Sequence, residues 1–151
     1  MHRSFALMIT LVFFASARAD VSRQPVKLAD LPAAVRKTAL QQKRANIRGL
    51  EKTVQQGKEI YVVELRSGVI KRTVFIDAAG TVLEVKQPIT LSEVSPAAKT
   101  VIESSLGNGT ILTLESVKTA LGIIAAYEVK FDGNGKRSQL RIGPDGRLVQ
   151  E

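Results

Sequence analysis

The residues able to do chemistry in this chain are few, and their absences are informative. There is no cysteine, and the one histidine, His2, lies in the extreme N-terminal segment. Histidine-based triads, cysteine nucleophiles and ordinary zinc sites are therefore excluded from the body of the protein. Carboxylates remain, and a pair sharing a cleft could act as general acid and base. Glu64, Glu128 and Asp132 are the candidates, but nothing in their spacing places two of them together. Asp132-Gly133-Asn134-Gly135 begins like a calcium loop. Such a loop needs an oxygen ligand at its fifth position and a glutamate at its twelfth, where this chain has Lys136 and Gly143. A tight hairpin is the reading. Gly143 to Gly146 and Asp77 to Gly80 are likewise turns, because neither opens a helix that would hold a phosphate. No catalytic residue, metal or cofactor is expected.

The elements that must position any site come next. Phe5 to Ala15 is an apolar run after a short polar head carrying Arg3, and Ala17-Arg18-Ala19 supplies the small residues of a cleavage site. Residues 1–19 are read as an export signal, removed before Asp20. The run is too short to span a bilayer, which takes about 20 apolar residues. A periplasmic or secreted location follows, with no transmembrane segment after cleavage. The chain carries a formal net charge of +8. Residues 20–88 hold 13 basic and 7 acidic side chains, and residues 89–151 hold 7 of each. The excess in the first part could favour an acidic protein or an anionic surface. No nucleic-acid motif accompanies it.

The body of the chain reads as one unit written twice. Gly57 to Val85 and Gly122 to Val149 each contain three β-like runs separated by turn residues. Tyr61-Val62-Val63-Glu64-Leu65 matches Tyr127-Glu128-Val129-Lys130-Phe131. A helix precedes each copy. Asp30-Leu31-Pro32 starts the first, whose stripe is Leu31, Val35 and Ala39 and whose end is expected near Ala45. Ser95-Pro96 starts the second, which stops at Gly107. Strands are predicted over residues 47–55, 59–66, 69–77, 81–86, 110–118, 123–131, 136–142 and 147–150. Gln87-Pro88 is expected to break the sheet. The predicted fold is α+β: a tandem repeat of one helix plus a four-stranded antiparallel sheet, over residues 20–88 and 89–151, with the two sheets able to join into one concave surface.

Alternation then assigns faces. Tyr61, Val63, Leu65, Val74 and Ile76 should meet the first helix, as Tyr127, Val129, Phe131, Leu140 and Ile142 should meet the second. On the opposite face the second copy carries Glu128, Lys130, Gln139 and Arg141, read as solvated. The first copy carries Ile60, Val62, Glu64 and Phe75 there. These four are the candidate partner-binding residues, an apolar centre with a charged rim, the alternative being that the linker Ile89 to Val94 or the other copy covers them. Arg36, Lys37, Lys43 and Arg44 are the candidate basic surface, and would serve the alternative of a small-ligand or anionic-envelope binder.

Leu-Pro-Ala-Ala-Val before a short helix, then Gly-Lys-x-x-Tyr-x-Val, then Asp-x-x-Gly-x-Val-Leu, resembles the PepSY-like families of exported bacterial proteins. The tandem arrangement resembles their β-lactamase-inhibitor-like group. The resemblance spans about Leu31 to Gln150. It implies a helix packed on an antiparallel sheet in each copy. It also implies a non-enzymatic role: binding another exported protein, a protease or other hydrolase among the targets, through the sheet face.

Overall fold

The computed structural model describes residues 22–42, 45–133 and 135–149. The export signal expected at 1–19 lies outside them. The architecture is a single antiparallel sheet whose eight strands follow one another in chain order. They are β1 (Gln24–Pro25), β2 (Asn46–Gln55), β3 (Lys58–Ser67), β4 (Ile70–Asp77), β5 (Val82–Pro88), β6 (Thr110–Lys118), β7 (Ile124–Gly133) and β8 (Lys136–Ile142). Among the described residues two short α-helices interrupt the meander, α1 (Ala33–Leu40) and α2 (Pro96–Leu106). Among the described residues no helix is long and apolar enough to cross a membrane.

This corrects the fold expected from sequence. The protein is mostly β, with one eight-stranded sheet in place of a tandem helix-plus-four-strand repeat. The finding that overturns the expectation is the ladder between β5 and β6. Val85 pairs with Lys118, Lys86 with Val117, Gln87 with Ser116 and Pro88 with Glu115. Gln87-Pro88, read as a break, is thus the site of the join. Pro88 lacks an N–H and can close a ladder only at its end. The next residue resumes the bonding, as the Ile89 N–H donates to the Leu114 carbonyl at 3.1 Å. The first helix also ends earlier than expected, at Leu40. The strand expected at 147–150 reduces to one bridge between Ile142 and Leu148.

Both helices lie on one side of the sheet because the apolar alternation of the strands points there. Leu31, Val35 and Ala39 pack with Tyr61, Val63, Leu65, Val74 and Ile76. Val94, Ala98 and Ile102 pack with Leu114, Tyr127, Val129, Phe131 and Ile142. A four-residue spacing on each helix meets a two-residue spacing on each strand, so both periods bury the same face.

Each helix is also fastened to a strand-end turn. Thr38 Oγ1 donates to the Gly80 carbonyl at 2.6 Å. Ser95 Oγ donates to the Pro144 carbonyl at 2.7 Å. Tyr127 places its hydroxyl 3.2 Å from the Ser95 N–H, which donates to it. The Asp77 carboxylate shapes the first turn by accepting from the N–H groups of Ala79 and Thr81 at 3.0 and 2.8 Å. Gly80 has φ +85°, and a Cβ there would stand 2.8 Å from the Ala34 backbone. Both constraints select glycine. Gly68 has φ +59° with open space around it. We expect Gly80→Ala to cost about 1–3 kcal/mol in chemical denaturation, and more than Gly68→Ala. Equal losses would show that backbone conformation matters and the helix approach does not.

A capping box starts the turn Leu91–Glu93, with Glu93 accepting from the N–H and hydroxyl of Thr90 at 2.7 and 2.9 Å. The backbone bond from Thr90, then its hydroxyl, holds the Glu93 carboxyl below the ordinary 4.5. A carboxyl lowered in the folded state adds stability that is complete above the unfolded value and is lost as pH falls through the folded one. Glu93 should therefore titrate below 4.5 by NMR, and Glu93→Gln should shallow the acid-side fall in melting temperature. An unchanged acid limb would count against it.

Candidate functional site

The other face of the sheet carries neither α1 nor α2, and its residues follow from the strand register. Glu51, Val62, Phe75 and Glu84 form one row across β2 to β5, through the pairs Glu51–Val62, Val62–Phe75 and Phe75–Glu84. Gly49, Glu64, Thr73, Lys86, Val117 and Ala126 form the next, across β2 to β7. Glu115, Glu128 and Arg141 form a third, across β6 to β8.

At the centre four charged side chains close a ring of alternating sign. Lys86 Nζ donates to both Glu128 carboxylate oxygens at 2.8 Å and stands 3.4 Å from Glu84 Oε1. Arg141 donates from Nη1 to Glu128 at 2.7 Å and from Nη2 to Glu84 at 3.0 Å. Lys86 Nζ also sits 5.0 Å from the centre of the Phe75 ring, within cation–π range. The Glu128 side chain is 6% exposed, and those of Lys86, Arg141 and Glu84 are 18%, 21% and 24% exposed.

The ring explains part of the burial on this face. Lys86 and Glu84 belong to β5, Glu128 to β7 and Arg141 to β8. Strands stand about 4.8 Å apart, so β8 and β5 are roughly 14 Å apart along the sheet. The Arg141 and Glu84 side chains must then extend across the intervening strands. Lys86 likewise reaches over β6 toward Glu128. Beneath them lie Val117 and Ala126, 1% and 2% exposed although neither helix packs on this face. Short side chains on the middle strands leave room for long ones to lie flat.

The expected apolar surface is corrected by the same geometry. Ile60, Val62 and Phe75 do come together, as a small core of their own, but they are buried, at 6%, 0% and 6% exposure. Alternation gave their face and could not give what lies over it. Glu64 is half-buried, 3.5 Å from Lys71, and leans over Gly49, where a Cβ would meet its side chain at 3.3 Å. The reading of Glu128 and Arg141 as solvated is also corrected, since both belong to the charged ring. Of the basic candidates, Arg36 is half-buried and Lys37 exposed on α1, away from the ring. Lys43 and Arg44 lie outside the described residues.

Sequence reasoning missed Glu84 and Lys86 altogether. The one signal available was Glu128 opposite Arg141 on predicted neighbouring strands, an opposite-charge cross-strand pair. Its extension to β5 depends on the β5–β6 join, which the sequence leaves open. Glu64, Glu128 and Asp132 do not converge: they occupy β3, the ring, and the far end of β7. Among the described residues no group of three or more histidine, cysteine, aspartate or glutamate side chains could hold a metal. At the edge of β3, Glu59 accepts from Lys52 at 2.8 Å and from the Tyr61 hydroxyl at 3.1 Å. The Lys52 bond, then that of Tyr61, lowers the Glu59 carboxyl, while burial and then the Glu59 bond raise the Tyr61 phenol.

What this arrangement can do is hold strands and present charge. Each ring carboxylate faces two cations, so neither is aimed free into a cleft as a base.

No family model matches this chain, and no curated protein matches it. Solved structures do. A BLIP-like protein from Bacteroides fragilis superposes with a TM-score of 0.57 at 18% identity, over 78% of this chain and 82% of that one. A DUF2874 family protein from Bacteroides uniformis gives 0.62 at 18% identity, over 79% and 86%. A protein from Bacteroides eggerthii, provisionally described as periplasmic, gives 0.61 at 15% identity, over 80% and 86%. The chain thus shares the fold of BLIP-like and DUF2874 proteins.

The burial of Val62 makes a prediction opposite to the one its alternation suggests. Val62→Glu puts an unpaired carboxylate in a closed core, and we expect loss of the cooperative melting transition followed by circular dichroism. Glu64→Gln, on the same strand and half-exposed, should melt near the wild-type temperature. A Val62→Glu protein melting like wild type would mean the position is open after all.

Proposed function

We propose that this protein is an exported, non-enzymatic binding module, working in the periplasm or outside the cell, and that it grips another exported protein with the helix-free face of its sheet. The observation that carries the reading is the placement of both helices on one side, which leaves the opposite side of a seven-strand span, β2 to β8, without a packed helix. Six spacings of about 4.8 Å and strands of about 25–30 Å give a face of roughly 800 Å². That equals one partner's share of a standard protein interface, about 800 Å², and exceeds what a small ligand needs.

The export signal read from the sequence of residues 1–19 supports export, and the periplasmic description of the B. eggerthii fold neighbour agrees with it. The BLIP-like neighbour and the PepSY-like motifs support a binding role, with a protease or other hydrolase as the class of target. The mode differs from an apolar centre with a polar rim. The apolar residues here are interior, and Glu51, Glu64, Arg66, Lys71 and Lys130 offer charge around the closed ring. Recognition is then chiefly electrostatic, setting orientation and partner choice.

A charge swap tests this without removing an ion pair. Glu64→Lys with Lys71→Glu keeps the pair and inverts the field a partner meets. Lys99→Glu with Glu103→Lys does the same on α2, where that pair is 3.9 Å apart. With residues 20–151 as bait in the exported fraction of the source cells, we expect wild type and the α2 swap to capture the same protein and the β3–β4 swap to lose it. Capture by all three, or by none, would argue against the helix-free face.

A further inference from the structure

The β5–β6 ladder is as short as any between the long strands, matched only by β4–β5, which a turn closes. It runs over four positions and ends on a proline, whereas β2 and β3 pair over nine and β7 and β8 over seven. It also joins the two strands separated in sequence by α2 and its flanking loops. Every other neighbouring pair among β2 to β8 is joined through a short turn. A ladder of few bonds, with no tight hairpin to hold its ends, is where a sheet opens first.

The charged ring spans this seam. Two of its members, Glu84 and Lys86, stand on β5. The other two, Glu128 and Arg141, stand on β7 and β8. Lys86–Glu128 and Arg141–Glu84 both cross the seam, at 2.8 and 3.0 Å. Neither pair uses a side chain of β6. The ring is therefore placed to brace the ladder from above, and parting it would uncover Val117 and Ala126.

We propose that the Glu84–Lys86–Glu128–Arg141 ring is an electrostatic latch across the β5–β6 seam, and that its release lets the sheet open locally at that seam while both halves stay folded. Each half has its own helix-packed core, so the seam can part without dissolving either. The latch does not depend on which partner, if any, the helix-free face takes.

Amide hydrogen exchange of the purified exported chain tests it. The probes are residues 85–87 and 115–118 at the seam, with β2–β3 and β7–β8 as internal references. Glu128→Gln removes the charge that both cations share and keeps the side-chain shape. We expect seam amides to exchange at least about tenfold faster in this variant while the β2–β3 ladder keeps its wild-type protection. Glu84→Gln breaks only the more exposed branch. It should accelerate the seam by a smaller factor, and it serves as the test should Glu128→Gln fail to fold. Two results overturn the proposal. One is unchanged seam exchange in the variant. The other is an acceleration spread evenly over both halves, which would make the ring a contributor to global stability and not a latch.

Discussion

The ladder between β5 and β6 is the constraint on which the rest of the architecture depends. Four residue pairs there fuse strands that sequence similarity divides between two units. Everything on the helix-free face follows from that fusion. Only with β6 hydrogen-bonded to β5 does Lys86 lie within reach of Glu128, and Arg141 within reach of Glu84. Without it, each charge would keep only the partner on its own side, Glu84 with Lys86 and Glu128 with Arg141.

The ring is better understood as specifying structure than as supplying stability. Removing a carboxylate such as Glu128 from water costs several kcal/mol, and its attraction to two cations largely offsets that cost. A well-packed apolar replacement could do as well energetically. It could not do as well at fixing register. A slip of one residue in β5 would turn Glu84 and Lys86 to the helix side, into the apolar core, and leave Glu128 and Arg141 facing hydrocarbon. Burial of charge makes such a slip costly, so the network selects one alignment of a ladder that few backbone bonds define.

The two helices work differently. They cover the apolar side of their strands, and each is held by a hydroxyl-to-carbonyl bond to a glycine-containing turn. Gly80 and Gly146 let those turns approach Ala34 and Ala97 to distances no Cβ would permit without movement. That anchoring keeps the helix layer to one side. The protein thereby has a packed face and a polar face with distinct jobs.

The sequence by itself determined what is local. The alternation of Tyr61, Val63 and Leu65 and of Tyr127, Val129 and Phe131 assigned the helix side correctly. Ser95-Pro96 and Gly107 marked the bounds of α2, and glycine positions marked the hairpins. These signals survive because period, caps and turns are set within a few residues. Tertiary structure alone decided that Gln87-Pro88 joins strands where it was read as a break. It decided that Val62 and Phe75 are interior, and that Glu128 and Arg141, which looked solvated, are locked to β5. Each of these depends on which strand lies beside which, and on side chains that cross one or two strands to find a partner. A chain's local pattern states which way a residue points; only the assembled sheet determines what it meets there.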